Sequence, residues 1–240
     1  MLNKDQITVV AFDYGNTLIE FTKPQLALQS ERLQAVLEEL YEPFDIDVLN
    51  ALRRQQILDP YQRDHIENDI YEVCAQLVQV LFEQEPPAEV VHRIMQTRRD
   101  AFVESIVLPD GVRELLEALN EKYRLGFISN YPCADSIRTT LSVFGIDTLF
   151  ETTVISGEVK RIKPHKLIFE TLLADMAVPA EEVVYIGDNW LADVQGAKRH
   201  GMQSIWTKQF VPYENFQPEE GDHQPDAVIE HIEELAGLLL

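Results

Sequence analysis

Short apolar runs alternating with helix-length segments are the feature that most limits what this chain can become. Val9 to Phe12, Arg124 to Ser129, a stretch near Glu151 to Ser156, Glu182 to Ile186 and Met202 to Trp206 read as buried strands by length and composition. Between the later runs lie helical spans: Val112 to Lys122, one reaching Phe144, one starting at Pro164, and one through Val194 to His200 that closes on Gly201. Strands joined by helices of this length pair in parallel through right-handed crossovers. The expected fold is therefore α/β, a Rossmann-like three-layer core on a parallel β-sheet. Asp110 is expected to cap the helix from Val112, and Glu230 to Leu240 reads as a terminal helix. Residues 208–225, with three prolines and several acids, read as a surface excursion.

The alternation stops between Pro24 and about Phe102, where the pattern is helical throughout. Leu26, Leu33, Val36, Leu37 and Leu40 recur at helical spacing, as do Ile66, Ile70, Val73, Leu77 and Leu81. Pro24, Pro43, Pro60 and the Pro86-Pro87 pair are expected at the joints between helices. The expected organisation is a discontinuous α/β core of residues 1–19 and 106–240, with a small all-helical insert of residues 20–105. Hinges are expected near Ile19 to Pro24 and near Glu104 to Pro109.

Forty-one acidic against twenty basic residues give a net charge of −21. Such a surface repels phosphodiester backbones and anionic bilayers, so neither nucleic acid nor membrane is an expected partner. It does not exclude an anionic small molecule, because local lysines and a divalent cation can reverse the field inside a cleft. No stretch has the length of a membrane span or the pattern of a leader, and two cysteines, Cys74 and Cys133, fit a reducing compartment. A cytoplasmic location is expected.

The polar residues fall where a parallel sheet can use them. Asp13 follows the first strand, Ser129 and Asn130 end the second, and Gly187-Asp188 end the fourth. In an open α/β sheet these ends share one edge, where ligands bind. Lys163, before Pro164 at an expected helix start, adds an ammonium to an anion-favouring helix N-terminus. Asp193, five residues after Asp188, is placed to brace that carboxylate or Lys163. So many acids repel one another unless a cation joins them, and an all-oxygen set suits Mg²⁺. Each residue alone has a plainer reading: Asp13 in an Asx-turn, Ser129 as a helix cap, Lys163 as a surface lysine.

Together, in this order, these segments resemble the motifs of the haloacid dehalogenase superfamily of aspartate-nucleophile hydrolases. They are Asp13-Tyr14-Gly15-Asn16-Thr17-Leu18, Phe127-Ile128-Ser129-Asn130, Lys163-Pro164 with Ile168-Phe169, and Gly187-Asp188 through Asp193. A helical insert directly after the first motif is similar to the family's small cap type. The resemblance implies that Asp13 attacks phosphorus to form an aspartyl-phosphate, that Ser129 binds a phosphoryl oxygen, and that Lys163 neutralises charge. It implies Mg²⁺ held by Asp13, Asp188 and the Gly15 carbonyl, with Asp193 supporting and Thr17 and Asn130 contacting the phosphate. A small phosphorylated or otherwise anionic substrate follows.

One position departs from the family. Two residues after the nucleophile the phosphatases carry a second aspartate that moves the proton, and here stands Gly15. Loss of such a group lowers a rate by about 10²–10⁴-fold. A phosphatase with another proton route is the first expectation, and a weak or inactive protein that binds a phosphorylated ligand or protein partner is the second. A 2-haloacid dehalogenase ranks lower, since Leu18 to Pro24 offers no arginine. Carbon–phosphorus cleavage through a Schiff base ranks low as well, since residues 24–105 contain no lysine. The cap's candidates for substrate contact are Arg53, Arg54, Tyr61, Arg63, His65, Arg98 and Arg99, most of them expected on a solvated face.

Overall fold

A computed structural model describes residues 2–210 and 217–240. Its centre is a six-stranded, all-parallel sheet in the order β3-β2-β1-β4-β5-β6. The strands are β1 (Val9–Phe12), β2 (Arg124–Ser129), β3 (Thr152–Ile155), β4 (Val183–Gly187), β5 (Gln203–Thr207) and β6 (Ala227–Ile229). Alternate side chains of the strands feed two apolar layers, as the period of two in a strand requires. Val10, Phe12, Phe127 and Ile186 pack with α5 (Val112–Asn120), α6 (Ala134–Val143) and the terminal α10 (Glu234–Leu239). Val9, Ala11, Ile128 and Tyr185 face α8 (Lys166–Met176), which follows the four-residue α7 (Ser156–Val159), and the short α9 (Gly196–Arg199). This is the expected three-layer α/β architecture, and α8 approaches so closely that a Cβ on Gly126 would lie 2.9 Å from Leu172.

Residues 23–105 form α1 (Lys23–Leu40), α2 (Ile46–Gln62), α3 (Ile70–Phe82) and α4 (Ala88–Ser105). They enclose an apolar cluster of their own around Leu33, Leu37, Leu49, Leu77, Val91 and Ile94. Asp45 and Asp69 cap α2 and α3 by accepting from Asp47 N and Tyr71 N, both at 2.9 Å. No helix among the described residues is long and apolar enough to cross a membrane.

Several local expectations are corrected. Gly111, at φ 82°, stands at the cap of α5 in place of Asp110, because the chain enters the helix through the left-handed region that glycine favours. α8 begins at Lys166, capped by His165 Nδ1 accepting from Leu167 N at 3.2 Å, so Pro164 precedes the helix and its bond to Lys163 is cis. Pro60 lies inside the last turn of α2, not at a joint. The span through Val194 divides into a π-turn, Trp190–Gln195, and α9. Ahead of α10, β6 adds a strand too short to show a period in the sequence. Of the expected excursion at 208–225, residues 211–216 lie outside the described residues, and 217–225 carry neither helix nor strand.

Candidate active site

Register brings the polar ends together. Phe12 is level with Phe127 on one side and Ile186 on the other, so Asp13 emerges beside the ends of β2 and β4. Asp13 N donates to Ile186 O at 2.9 Å. Beyond it the chain turns on itself, with the amides of Thr17, Leu18 and Ile19 donating to Tyr14 O and Asn16 at φ 59°. Asn16 Oδ1 accepts from Phe21 N at 2.8 Å, which fixes the exit towards α1. Gly15 lies on this turn, and a Cβ there would meet Phe21 Cβ at 3.6 Å, an ordinary contact.

Lys163 is buried and holds the centre. Its Nζ lies 2.6 Å from Asp13 Oδ1 and 2.7 Å from Asp193 Oδ1. It also donates to Tyr185 Oη at 2.9 Å, and the phenol passes a hydrogen bond on to Ile128 O at 3.2 Å. Burial alone would depress the ammonium, but Asp13 and Asp193 outweigh it and hold its pKa well above the usual lysine value. Asn130 fixes the backbone of Lys163, accepting from its N at 2.7 Å and donating to its O at 3.2 Å. The helix whose N-terminus was expected to face an anion beside Lys163 starts three residues on, at Lys166, and the ammonium itself is balanced by the carboxylates of Asp13 and Asp193.

Asp13, Asp188 and Asp193 are all buried, with ligand atoms within 4.8 Å of one another. Asp193 is committed on both oxygens, Oδ1 to Lys163 and Oδ2 to Asn189 N at 2.9 Å. Burial raises its carboxyl, Lys163 pulls it down and Asp13 pushes it up again, to about 6. Asp188 makes no ion pair with Lys163, and burial, then the charges of Asp13 and Asp193, raise its pKa well above the carboxylate range. Three acids against one ammonium crowd negative charge into a largely buried site, and an all-oxygen donor set of this kind fits a hard divalent cation. Thr17, fully buried, donates to Asp13 Oδ2 at 3.3 Å.

A cavity of about 270 Å³ opens over this cluster, lined by Asp13, Gly15, Ser129, Asn130, Lys163 and Asp188 on the sheet side. Ser129 is the last residue of β2, five before α6 begins, and so caps no helix. From the helical side come Arg53, Tyr61 and Arg98, and Tyr61 reaches a hydrogen bond with Asn130. The other candidates turn elsewhere: Arg63 bonds to Asn68, Arg99 pairs with Asp135, His65 packs near Tyr61, and Arg54 is exposed. Both cysteines are free.

Two contributors were not anticipated. Tyr185, which steadies Lys163, carried one signal, a hydroxyl in an otherwise apolar strand that needs a buried partner. Glu67, between α2 and α3, lines the cavity and accepts from Ser156 Oγ, tying the helical block to β3's end. Nearby, Ile162 N donates to His65 O at 2.9 Å and Glu67 N to Lys160 O at 3.3 Å. No spacing in the sequence marks that contact.

Residues 31–207 match the haloacid dehalogenase-like hydrolase family, and the chain belongs to it. The matched span contains Ser129, Lys163, Asp188 and Asp193 and begins beyond Asp13. The chain is 25% identical over 231 residues to the glyceraldehyde 3-phosphate phosphatase of Methanopyrus kandleri, covering 95% of each. It is 29% identical over 127 residues to the phosphoserine phosphatase of Thermus thermophilus, covering 53% of this chain and 49% of that one. Among solved structures, a 2-haloacid dehalogenase from Pseudomonas syringae pv. Tomato matches at TM-score 0.75 and 21% identity, covering 97% of this chain and 98% of that one. YfnB of Bacillus subtilis, a HAD-hydrolase bound to magnesium, matches at TM-score 0.69 with the same identity and coverage. These structural likenesses concern the fold. The chain is a hydrolase of this family, and its relatives include named phosphatases.

Proposed function

We propose that this protein is a Mg²⁺-dependent phosphatase of a small phosphorylated metabolite, working through an aspartyl-phosphate on Asp13. The observation that carries the reading is the meeting of Asp13, Lys163 and Asp188 at one cavity floor. Asp13, Asp188 and the Gly15 carbonyl are the groups that would hold the cation. When bound, Mg²⁺ would offset charge on the phosphoryl oxygens. An oxygen of Asp13 bonds to phosphorus as the bond to the leaving oxygen breaks, and that oxygen takes its proton from water because Gly15 has none to give. Water then attacks the aspartyl-phosphate, releasing phosphate and restoring Asp13. Lys163 and Thr17 hold Asp13 in place, Asp193 holds Lys163, and Ser129 and Asn130 are the hydrogen-bonding groups for the phosphoryl oxygens. Residues 20–105 act as the cap and residues 1–19 with 106–240 as the catalytic body, a division supported by the separate apolar cluster of α1 to α4.

The phosphatase names of relatives, glyceraldehyde 3-phosphate phosphatase over nearly the whole chain among them, favour this over dehalogenation. Gly15 favours one further reading, a protein that binds its phosphorylated ligand and turns it over slowly. Phosphate release from an aryl phosphate, measured with Mg²⁺ and with chelator, tests the proposal. Release that needs Mg²⁺ and disappears in Asp13→Asn is expected, and equal release by wild type and Asp13→Asn would refute it.

A further inference from the structure

The cavity has a second charged end. Arg53 of α2 and Arg98 of α4 are, with Lys163, the cations among its described lining residues. Lys163 is engaged by Asp13 and Asp193. The two guanidiniums instead confront each other: burial first, then the charge of Arg98, lowers Arg53 to about 10. Among the described residues Arg53 bonds to neutral acceptors, Leu26 O at 3.2 Å, Gln29 Oε1 at 3.1 Å and the Ser30 hydroxyl. These contacts hold it in place without cancelling its charge. Arg98 Nη1 is shut off from solvent with no hydrogen-bond partner among the described residues. A buried, unpaired guanidinium N–H is costly, and in a chain of net charge −21 a carboxylate to pair with it was not scarce.

The place of this pair relative to the phosphoryl site follows from Tyr131. Its hydroxyl lies within the field of both arginines, which act against the burial that raises it to about 12. Its ring packs on Phe102 at 4.5 Å, giving the site an apolar wall. Tyr131 stands two residues after Ser129, so their Cα atoms are at most about 7.6 Å apart. Ser129, Tyr131 and both arginines line the same cavity, whose volume of about 270 Å³ suits a short ligand.

We propose that Arg98, backed by Arg53, receives a carboxylate at the far end of the substrate, so that the preferred substrates are short phosphorylated carboxylic acids. A planar carboxylate matches the guanidinium fork, and the exchange of an unpaired buried donor for a charge-assisted bond favours it over a neutral hydroxyl. The inference rests on the phosphatase reading for the word substrate, but its test does not. Calorimetry of 3-phosphoglycerate and of glycerol 3-phosphate, which differ at the distal group, reads the subsite whether or not either is hydrolysed. The wild type is expected to bind 3-phosphoglycerate about 10- to 100-fold more tightly. Arg98→Met should erase that ratio, and Arg98→Lys, which keeps the charge and loses the fork, should restore part of it. Equal affinity or no binding in the wild type, or a preference that survives in Arg98→Met, overturns the proposal. Absence of phosphate release from both compounds, with the binding ratio intact, would instead count against the phosphatase reading alone.

Discussion

Lys163 is buried with a full charge, and its burial is tolerable because Asp13 and Asp193 lie 2.6 and 2.7 Å away. Removing one partner of such a group leaves the others uncompensated, at a cost of about 3–5 kcal/mol. Lys163→Met is expected to lose stability on that scale in urea unfolding with chelator present, a much larger loss than a surface lysine would show. Gly15 makes the opposite kind of prediction. The space at its Cα accepts a side chain, since the nearest atom to a built Cβ is 3.6 Å away. Gly15→Asp should therefore fold, and turnover of an aryl phosphate should rise, by about 10²-fold or more if the new carboxylate shuttles the proton. An unchanged rate would mean that another group already moves it. Asp13, Ser129 and Asp188 were legible in the sequence because each ends or directly follows a strand, and Lys163 and Asp193 because of their spacing from Pro164 and from Asp188. Tyr185 was not, because a side chain inside a strand points to a face that only the tertiary structure identifies.

At the scale of elements, the junction of β4 with the π-turn decides where Asp193 points. Gly187 ends β4, and a Cβ there would fall 2.4 Å from Asp193 Cγ. Gly187→Ala is expected to displace Asp193 from Lys163 and to lower activity, with a stability loss of about 1–3 kcal/mol from overpacking. Thermal unfolding and phosphate release on the same sample check both parts, and an alanine variant with full activity would contradict this account of the junction. The strands β1, β2 and β4 were legible because buried parallel strands are short apolar runs. The sixth strand was not: Ala227 to Ile229 is three residues long and earns its place only by pairing with β5. The cap of α5 was misread because Asp110 suits the position chemically, while the backbone turns through Gly111 in a conformation composition does not reveal.

For the whole molecule, two apolar layers on the sheet and one cluster in the helices meet at a cavity whose floor carries excess negative charge. A cation that binds there stabilises the folded state by mass action, by about 2.7 kcal/mol at a hundredfold excess over its Kd. Mg²⁺ should therefore raise the unfolding midpoint of the wild type, and the rise should shrink in Asp188→Asn. An equal rise in both would place the ion elsewhere on an acidic surface. The division of the chain into sheet and helical block was visible as a change of hydrophobic period near Pro24 and again near Ile106. Contacts between the two parts, such as Glu67 with Ser156, lie 89 residues apart, and no local pattern encodes them.

Without a carboxylate at Gly15 to activate water, the covalent intermediate on Asp13 should outlive that of an enzyme that has one. Intact-mass and peptide analysis after brief incubation with an aryl phosphate and Mg²⁺ therefore tests the central claim most directly. The account predicts one phosphoryl group on Asp13 in the wild type, shorter-lived in Gly15→Asp and absent in Asp13→Asn. Phosphoryl transfer to another residue, or release of phosphate by Asp13→Asn at the wild-type rate, would contradict it.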